Sequence, residues 1–281
     1  MSTVLITGAN SGIGFAASQQ LAQRGARVLM ACRSAERGQA ALDRIRSAQP
    51  DADLGLVQLD MSSPASIRAA VSGLQGAGEG VDALVHNAAI FDLNQSGPVM
   101  TAEGLERFWA TNLVGPVLLT RLLMPTLLAR KARVICASSK GLLAMPFLKL
   151  DPQAVAAGQG FTPTKAYYQS KLALLIWAQH LAQTQPELAV NSVWIPSVRL
   201  DPGREPEMGA LQAWVYRMKA KQALDPQEMA PTYVSLALDA EWSERTGTLV
   251  DHHLASVSLP RRAQDPTTRE DTLAWIQAHV G

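Results

Sequence analysis

Short apolar runs alternate with amphipathic helical patterns through the first two thirds of the chain. The runs have the length of buried strands and lie at 4–6, 28–32, 54–59, 83–86, 133–137 and 190–195. Between them, apolar residues recur at helical spacing over 11–24, 35–47, 64–74, 102–128 and 165–182. This alternation predicts a doubly wound α/β fold of the Rossmann type, in which helices cover both faces of a parallel sheet.

Two stretches interrupt the alternation, and each leaves from the end of a predicted strand. The stretch near 141–164 carries Met145, Phe147, Leu148 and Phe161 among prolines and glycines. The stretch near 197–223 carries Met208, Leu211, Trp214, Tyr216 and Met218. Because ligands bind beyond the carboxyl ends of strands in open α/β sheets, both segments are predicted to cover a substrate. The alternative is that these side chains pack beneath long loops.

Length and charge exclude several classes of protein. The 281 residues are expected to form a single domain over 1–281. A net charge of +1, with acids and bases interspersed, offers no basic stripe to nucleic acid. We expect no stable membrane insertion, because no leader pattern opens the chain and Pro116, Arg121 and Pro125 interrupt its most apolar helical stretch.

The two cysteines, Cys32 and Cys136, each end an apolar run that is predicted to be a buried strand. They are therefore expected to be free thiols in a cytoplasmic protein, since disulfides belong to oxidising compartments. Cysteines and histidines are not clustered at ligand spacing, so we expect no metal site.

A glycine-rich turn follows the first apolar run and precedes the first helix. It comprises Gly8, Asn10, Ser11, Gly12, Ile13 and Gly14. Glycines let a backbone approach a phosphate closely, and a helix start offers unpaired N–H groups and the positive end of its dipole. The turn therefore predicts a pyrophosphate site, although its glycine spacing differs from that of the G-x-G-x-x-G fingerprint.

Arg33 ends the second predicted strand, where dinucleotide-binding proteins distinguish their cofactors. An acidic residue there binds the ribose 2′-hydroxyl of NAD, whereas a cation pairs with the 2′-phosphate of NADP. Glu36 lies nearby but is expected in the first turn of the following helix, after Ser34 as its cap. Arg33 therefore predicts NADP(H) as the cofactor.

Tyr167 and Lys171 lie four residues apart at the start of an amphipathic helix. That spacing places both side chains on one helical face, where the ammonium is expected to lower the phenol pKa toward neutrality. The pair therefore predicts a proton donor and acceptor. Tyr168 has no lysine at the same spacing and is expected to be a packing residue.

The pattern Thr-Gly-x-x-x-Gly-Ile-Gly over 7–14, with Tyr-x-x-x-Lys over 167–171, resembles the short-chain dehydrogenase/reductase family. The resemblance extends over nearly the whole chain and is strongest to retinol dehydrogenases and light-dependent protochlorophyllide reductases. The segments that carry it are 12–14, 31–33, 59–60, 166–172 and 263–275. Both groups act on large, apolar, NADP(H)-linked substrates, so the resemblance implies a largely apolar small-molecule substrate.

The resemblance also implies catalytic roles. Tyr167 exchanges the proton with the substrate oxygen, Lys171 supports it and binds the nicotinamide ribose, and Ser139 orients that oxygen, with Ser138 as the alternative. Asn112 matches the helix asparagine that completes this set and holds a relay water. Its alternative role is that of a plain helix-interior amide.

Further residues are implied to bind the cofactor. Asp60 and the Met61 N–H would contact adenine, Asn87 and Ala88 would lie near the adenosine ribose, and Pro196 would lie at the nicotinamide end. Read without the resemblance, Asp60 is a turn residue.

Four positions depart from the family pattern: His86 replaces an Asn, Ala89 and Ser197 each replace a Gly, and Asp201 falls at the position of a Thr. His86 is predicted to be a hydrogen-bonded structural residue more readily than a catalyst. Asp201 places a carboxylate near the expected carboxamide and weakens the prediction for the nicotinamide half of the site.

These features predict an NADP(H)-dependent oxidoreductase that transfers a hydride between nicotinamide and a carbonyl or alcohol carbon. The alternatives are reduction of an activated C=C bond and a non-catalytic dinucleotide sensor or scaffold. The apolar helices over 113–128 and 172–181 suggest a possible homodimer.

Overall fold

A computed structural model of the chain describes residues 1–199 and 223–280. Its centre is a parallel sheet in the order β3-β2-β1-β4-β5-β6-β7. The strands are β1 Thr3–Thr7, β2 Arg27–Cys32, β3 Leu54–Gln58, β4 Ala83–His86, β5 Arg133–Ser139, β6 Ala189–Ile195 and β7 Leu249–Val250. The predicted doubly wound fold is confirmed, and its six predicted strands are all present.

Helices cover both faces of the sheet. They are α1 Gly12–Gln23, α2 Ala35–Ala48, α3 Pro64–Gly76, α4 Arg107–Trp109, α5 Gly115–Ala129, α6 Pro152–Ala156, α7 Pro163–Thr184, α8 Pro226–Leu238, α9 Arg261–Gln264 and α10 Pro266–His279. Apolar residues of α3, α5 and α7 fill the core on one face, and those of α1, α2 and α8 fill the core on the other.

Local sequence explains most helix starts. The side chains of Ser34, Ser63 and Thr162 each accept a hydrogen bond from a first-turn N–H, and a proline stands at the start of α3 and α7. The helix predicted from residue 102 begins instead at Arg107, after Glu106 caps α4 with its carboxylate. Strand β7 and helices α8 and α10 were not predicted, because they lie beyond the regular alternation.

The helical run Arg107–Ala129 passes through α4, a π-helical segment Ala110–Val114 and α5. Contrary to expectation, Pro116 and Pro125 do not interrupt it: Pro116 lies in the first turn of α5 and Pro125 lies inside that helix. By length and composition alone this run could span a membrane, but 61% of its most apolar window is buried inside the fold. Buried core helices of other proteins also meet these criteria of length and apolar composition.

Helix α7 lies deep in the molecule. Every residue over 169–179 is buried, and α9 and α10 pack against this helix. The apolar residues suggested for a homodimer over 172–181 are therefore almost all covered by the chain itself.

In the segment near 141–164, some apolar side chains pack inside the fold, as the loop-packing alternative predicts. Another is exposed, as a substrate-covering role predicts. Leu148 is buried and Met145 partly buried in a small cluster above α7, and the Phe161 ring packs on that of buried Phe108, with centroids 6.0 Å apart. Phe147 is 80% exposed. The second segment, with Met208, Leu211, Trp214, Tyr216 and Met218, lies outside the described residues except at its ends.

Candidate active site

The turn between β1 and α1 has the conformation that its glycines permit. Gly8 and Gly12 have φ angles of +68° and +55°, in the left-handed region that favours glycine. A Cβ on Gly14 would lie 2.4 Å from the Gly8 carbonyl oxygen. The Ser11 side chain makes no capping hydrogen bond to α1. The start of this long helix is therefore uncapped and suited to an anion.

A cleft of about 280 Å³ opens above this turn at the carboxyl edge of the sheet. Its walls include the predicted cofactor residues Gly8, Asn10, Ser11, Gly12, Ile13, Arg33, Asp60, Met61, Asn87 and Ala88. Three predicted cofactor residues are absent from its lining: Gly14, in the first turn of α1, Lys171, inside α7, and Pro196, which follows the end of β6. The cleft brings together the predicted adenine, ribose and phosphate positions.

Sequence reasoning missed several cleft residues, of which Arg37 is the most informative. Arg37 lines the cleft with Arg33 and Ser34, and its backbone N–H donates to Ser34 Oγ over 3.2 Å. It lies one helical turn beyond Arg33, so spacing could have identified it. Arg33 and Arg37 therefore both line the cleft, where the sequence predicted Arg33 alone. Glu36, the predicted competitor, does not line the cleft.

Two polar side chains shape the cleft through bonds to the backbone. Asp60 Oδ1 accepts from the N–H and the hydroxyl of Ser62, over 2.9 and 2.7 Å. Asn87 Nδ2 donates to the carbonyl oxygens of Thr7 and Gly8, over 2.9 and 3.3 Å. Asp60 therefore forms the turn expected from sequence and also faces the cleft, while Asn87 ties β4 to the glycine turn.

The predicted catalytic residues meet at the end of β5. Ser139, the last residue of β5, lies close enough to Tyr167, near the start of α7, to oppose the rise in the phenol pKa. Buried Lys171 donates from Nζ to the Ala137 carbonyl oxygen over 2.8 Å, and its Nζ lies 6.0 Å from the centre of the Tyr167 ring. Ser138 Oγ is buried and has no hydrogen-bond partner in the described part of the chain. The geometry favours Ser139 over Ser138.

Burial controls the protonation of this group. It raises the pKa of Tyr167 to about 12, although the Ser139 hydrogen bond opposes the shift. It lowers the pKa of Lys171 to about 8. The predicted lowering of the phenol pKa is therefore wrong for the chain alone: the lysine is turned toward Ala137, and desolvation outweighs its attraction. The phenol remains a proton donor at neutral pH.

Asn112 is fully buried in the π-helical segment Ala110–Val114. Its Oδ1 accepts from the Ile90 N–H over 2.9 Å, and its Nδ2 donates to the Ile90 carbonyl over 3.2 Å and to Ser170 Oγ over 3.0 Å. The asparagine thus fastens the loop after β4 to α7. It is not a plain helix-interior amide, because its side chain bonds to segments outside its own helix. The π-helical segment around it is a local irregularity of the kind that is frequent at functional sites.

His86 is buried and its Nε2 lies 2.7 Å from Thr120 Oγ1. Its ring meets that of Trp177 edge-on at 6.2 Å between centroids. Burial lowers the pKa of His86 to about 3, so the ring is neutral. These contacts support the predicted structural role.

The nicotinamide end is described only up to residue 199. Ser197 accepts through its carbonyl from the Leu224 N–H over 2.9 Å, and the Arg199 N–H donates to the Leu224 carbonyl over 3.0 Å. Val198 and Arg199 reach the cleft. Two backbone hydrogen bonds therefore join residues 197–199 to residue 224. Asp201 lies outside the described residues.

The described residues fit a dinucleotide. The glycine turn leaves room for a pyrophosphate at the start of α1, and the cleft continues to the two arginines beside β2. Cys32 and Cys136 are free and buried, as expected. Burial raises their pKa to about 11 and about 12, which leaves both thiols protonated and unreactive.

Comparison with known proteins agrees with this geometry. Residues 2–149 match the model of the short chain dehydrogenase family. Dehydrogenase/reductase SDR family member 13 of Bos taurus is 38% identical over 64% of this chain and 46% of its own length. Human retinol dehydrogenase 11 is 30% identical over 92% of this chain and 80% of its own length. The chain thus spans about half the length of the first relative and most of the second.

Solved structures share the fold. A protein of uncharacterized function from Mycobacterium Paratuberculosis has a TM-score of 0.73 at 25% identity, over 99% of this chain and 92% of its own. A 3-ketoacyl-(acyl-carrier-protein) reductase from Brucella melitensis, complexed with NADH, has a TM-score of 0.65 at 25% identity, over 89% and 96%. A short chain dehydrogenase from Shigella flexneri, complexed with NADP, has a TM-score of 0.66 at 22% identity, over 90% and 97%. The chain belongs to the short-chain dehydrogenase/reductase family of oxidoreductases.

Proposed function

We propose that the protein is an NADP(H)-dependent oxidoreductase that interconverts a carbonyl and an alcohol on a largely apolar small molecule. The observation that carries this proposal is the placement of Ser139 and Tyr167 together at the end of β5, beside buried Lys171. The pair holds one exchangeable proton where a substrate oxygen would lie, at the carboxyl edge of the sheet.

Each chain residue has a defined task in this reaction. A bound nicotinamide supplies or accepts the hydride. Tyr167 gives its phenolic proton to the substrate oxygen during reduction, or takes one from the alcohol during oxidation. Ser139 donates to the same oxygen and fixes its position. Lys171 supplies positive charge behind the phenol, and Asn112 holds the adjoining loop through Ile90.

The preference for NADP(H) rests on Arg33 and Arg37, which line the cleft beside Ser34. A 2′-phosphate carries charge that two guanidinium groups bind well, and no acidic residue lines that part of the cleft among the described residues except Asp60, which is engaged with Ser62. We therefore expect Arg33→Ala to weaken NADPH binding far more than NADH binding, as measured by calorimetry. Equal weakening of both would remove the basis for NADP(H).

The preference for apolar substrates rests on exposed side chains beyond the ends of β4 and β5. Phe91 is 45%, Leu143 54% and Phe147 80% exposed. In the proposed function these three side chains provide apolar surface for such a substrate. The name of retinol dehydrogenase 11 refers to an apolar alcohol, which agrees with this surface.

Replacing one hydroxyl tests the catalytic assignment. Tyr167→Phe is expected to lower NADPH-dependent carbonyl reduction by about 10²- to 10⁴-fold, the usual contribution of general acid catalysis. NADPH binding should remain, because the phenol is not among the cleft residues. The matched control is Tyr168→Phe, which removes the neighbouring hydroxyl and should retain activity.

A panel of apolar ketones, aldehydes, alcohols and enones, with the products identified, separates this proposal from its alternatives. Enone products reduced at carbon would indicate C=C chemistry. Binding of NADPH without turnover of any substrate would indicate a sensor. Wild-type turnover by Tyr167→Phe would show that another group supplies the proton.

A further inference from the structure

The loop after β4 brings an aromatic ring onto the tyrosine proposed to be catalytic. The rings of Phe91 and Tyr167 have centroids 4.5 Å apart and planes inclined by 50°. Phe91 remains 45% exposed although it makes this contact. One part of its ring therefore covers Tyr167, and another part is open to whatever approaches the phenol.

The backbone beneath Phe91 is held on both sides. The N–H and carbonyl of the preceding residue, Ile90, both bond to the buried Asn112 amide, over 2.9 and 3.2 Å. The following residue, Asp92, forms an ion pair with Arg107 over 3.1 Å. The hydrogen bonds at Ile90 and the ion pair at Asp92 therefore hold the backbone on either side of Phe91.

A second aromatic ring also contacts Tyr167. Tyr168 meets Tyr167 edge-on, with centroids 5.2 Å apart and planes inclined by 71°. Tyr168 is confined in turn, because a side chain at Gly141 would lie 2.2 Å from its hydroxyl. Tyr167 therefore contacts two aromatic rings, of which that of Phe91 belongs to a side chain that is 45% exposed.

We propose that Phe91 is a specificity-determining residue that selects substrates bearing a flat, unsaturated apolar group next to the reacting carbonyl. This inference rests on the proposed function. A carbonyl oxygen within hydrogen-bond reach of Tyr167 places the adjoining substituent beside the Phe91 ring, which lies only 4.5 Å from the Tyr167 ring. Planar π systems pack on an aromatic ring with offset or edge geometry, whereas puckered saturated rings of similar size fit that surface less well.

The test compares two aldehydes of matched size, benzaldehyde and cyclohexanecarbaldehyde, under NADPH. The measured quantity is kcat/KM for benzaldehyde divided by kcat/KM for cyclohexanecarbaldehyde. Because the chemical reactivity of the two aldehydes is the same for every variant, it cancels when this ratio is compared between variants. Phe91→Leu keeps an apolar side chain and removes the π face. It should lower the ratio by about 10-fold or more, the scale of a lost pocket contact, chiefly through the KM of benzaldehyde.

Two further variants complete the design. Phe91→Tyr keeps the ring and should retain the wild-type ratio. Phe15→Leu removes a phenyl ring that lies over Arg44 and does not line the cleft, and it should also retain the ratio. NADPH affinity measured by calorimetry verifies that each variant is folded.

The outcomes are distinct. Wild-type enzyme that reduces both aldehydes, with a ratio unchanged in Phe91→Leu, overturns the role of Phe91 and leaves the proposed function standing. If Phe91→Tyr lowers the ratio as much as Phe91→Leu does, the role of Phe91 is also overturned. Wild-type enzyme that binds NADPH but reduces no carbonyl in the panel refutes the proposed function and the role of Phe91 together.

Discussion

Replacing His86 by asparagine should change how the stability of this protein depends on pH. Burial lowers the pKa of His86 from 6.5 to about 3 in the folded chain. Between these two values the unfolded chain binds a proton that the folded chain does not, so stability falls as pH decreases. The contribution is present above pH 6.5 and is lost progressively toward pH 3.

The magnitude follows from the size of the shift. Each pH unit within that window costs about 1.4 kcal/mol of unfolding free energy, so His86 removes about 2 kcal/mol by pH 5. His180 has a smaller shift of the same sign, also from burial. The carboxyls of Glu79 and Asp82, whose pKa values lie below their ordinary range, lose stability only at lower pH. His86 should therefore dominate the loss between pH 6.5 and 5.

Urea unfolding at pH 7 and pH 5 measures this loss. His86→Asn should remove most of the difference between the two conditions, while His180→Asn should remove only a minor part. Turnover per folded molecule at pH 7 should remain, since His86 contacts Thr120 and Trp177 and does not line the cleft. If His86→Asn unfolds with the same pH dependence as the wild type, the buried neutral histidine is not what limits acid stability.

Other predictions concern backbone and loop contacts. Gly73→Ala, at an exposed α3 position with no atom near its Cβ, should raise the unfolding free energy by about 0.5–1 kcal/mol. Gly14→Ala should instead destabilise the protein and weaken cofactor binding, because its Cβ would lie 2.4 Å from the Gly8 oxygen; equal effects of the two variants would contradict this. Asn112→Ala should cost about 1–3 kcal/mol in urea unfolding, because it leaves the Ile90 N–H without its partner. Unchanged stability would mean that Ile90 finds another partner.

Much of the site could be predicted from local sequence. The glycine turn depends on φ angles that glycine adopts most readily, and the spacing of Tyr167 and Lys171 puts both on one helix face. Ser139 follows from its position at the end of a buried strand. The protonation of the site was not predictable in the same way, because the pKa of Tyr167 depends on burial and on where the Lys171 ammonium points.

Sequence spacing also missed contacts between segments far apart in the chain. Phe91 reaches Tyr167 across 76 residues only because Asn112 fixes Ile90 beside α7. The C-terminal helix α10 covers α7, although no pattern in either helix predicted that they would meet.

The sequence by itself determined the alternation of strands and helices, the glycine turn, the free cysteines and the family of this protein. These features follow from side-chain periodicity and from backbone freedom, which are local properties. Only the tertiary structure decided that Arg37 joins Arg33 in the cleft, that His86 is buried and neutral, that Ser139 lies near Tyr167, and that the Phe91 ring lies against the Tyr167 ring. Those results depend on burial and on distances between remote segments, which packing sets after the local elements have formed.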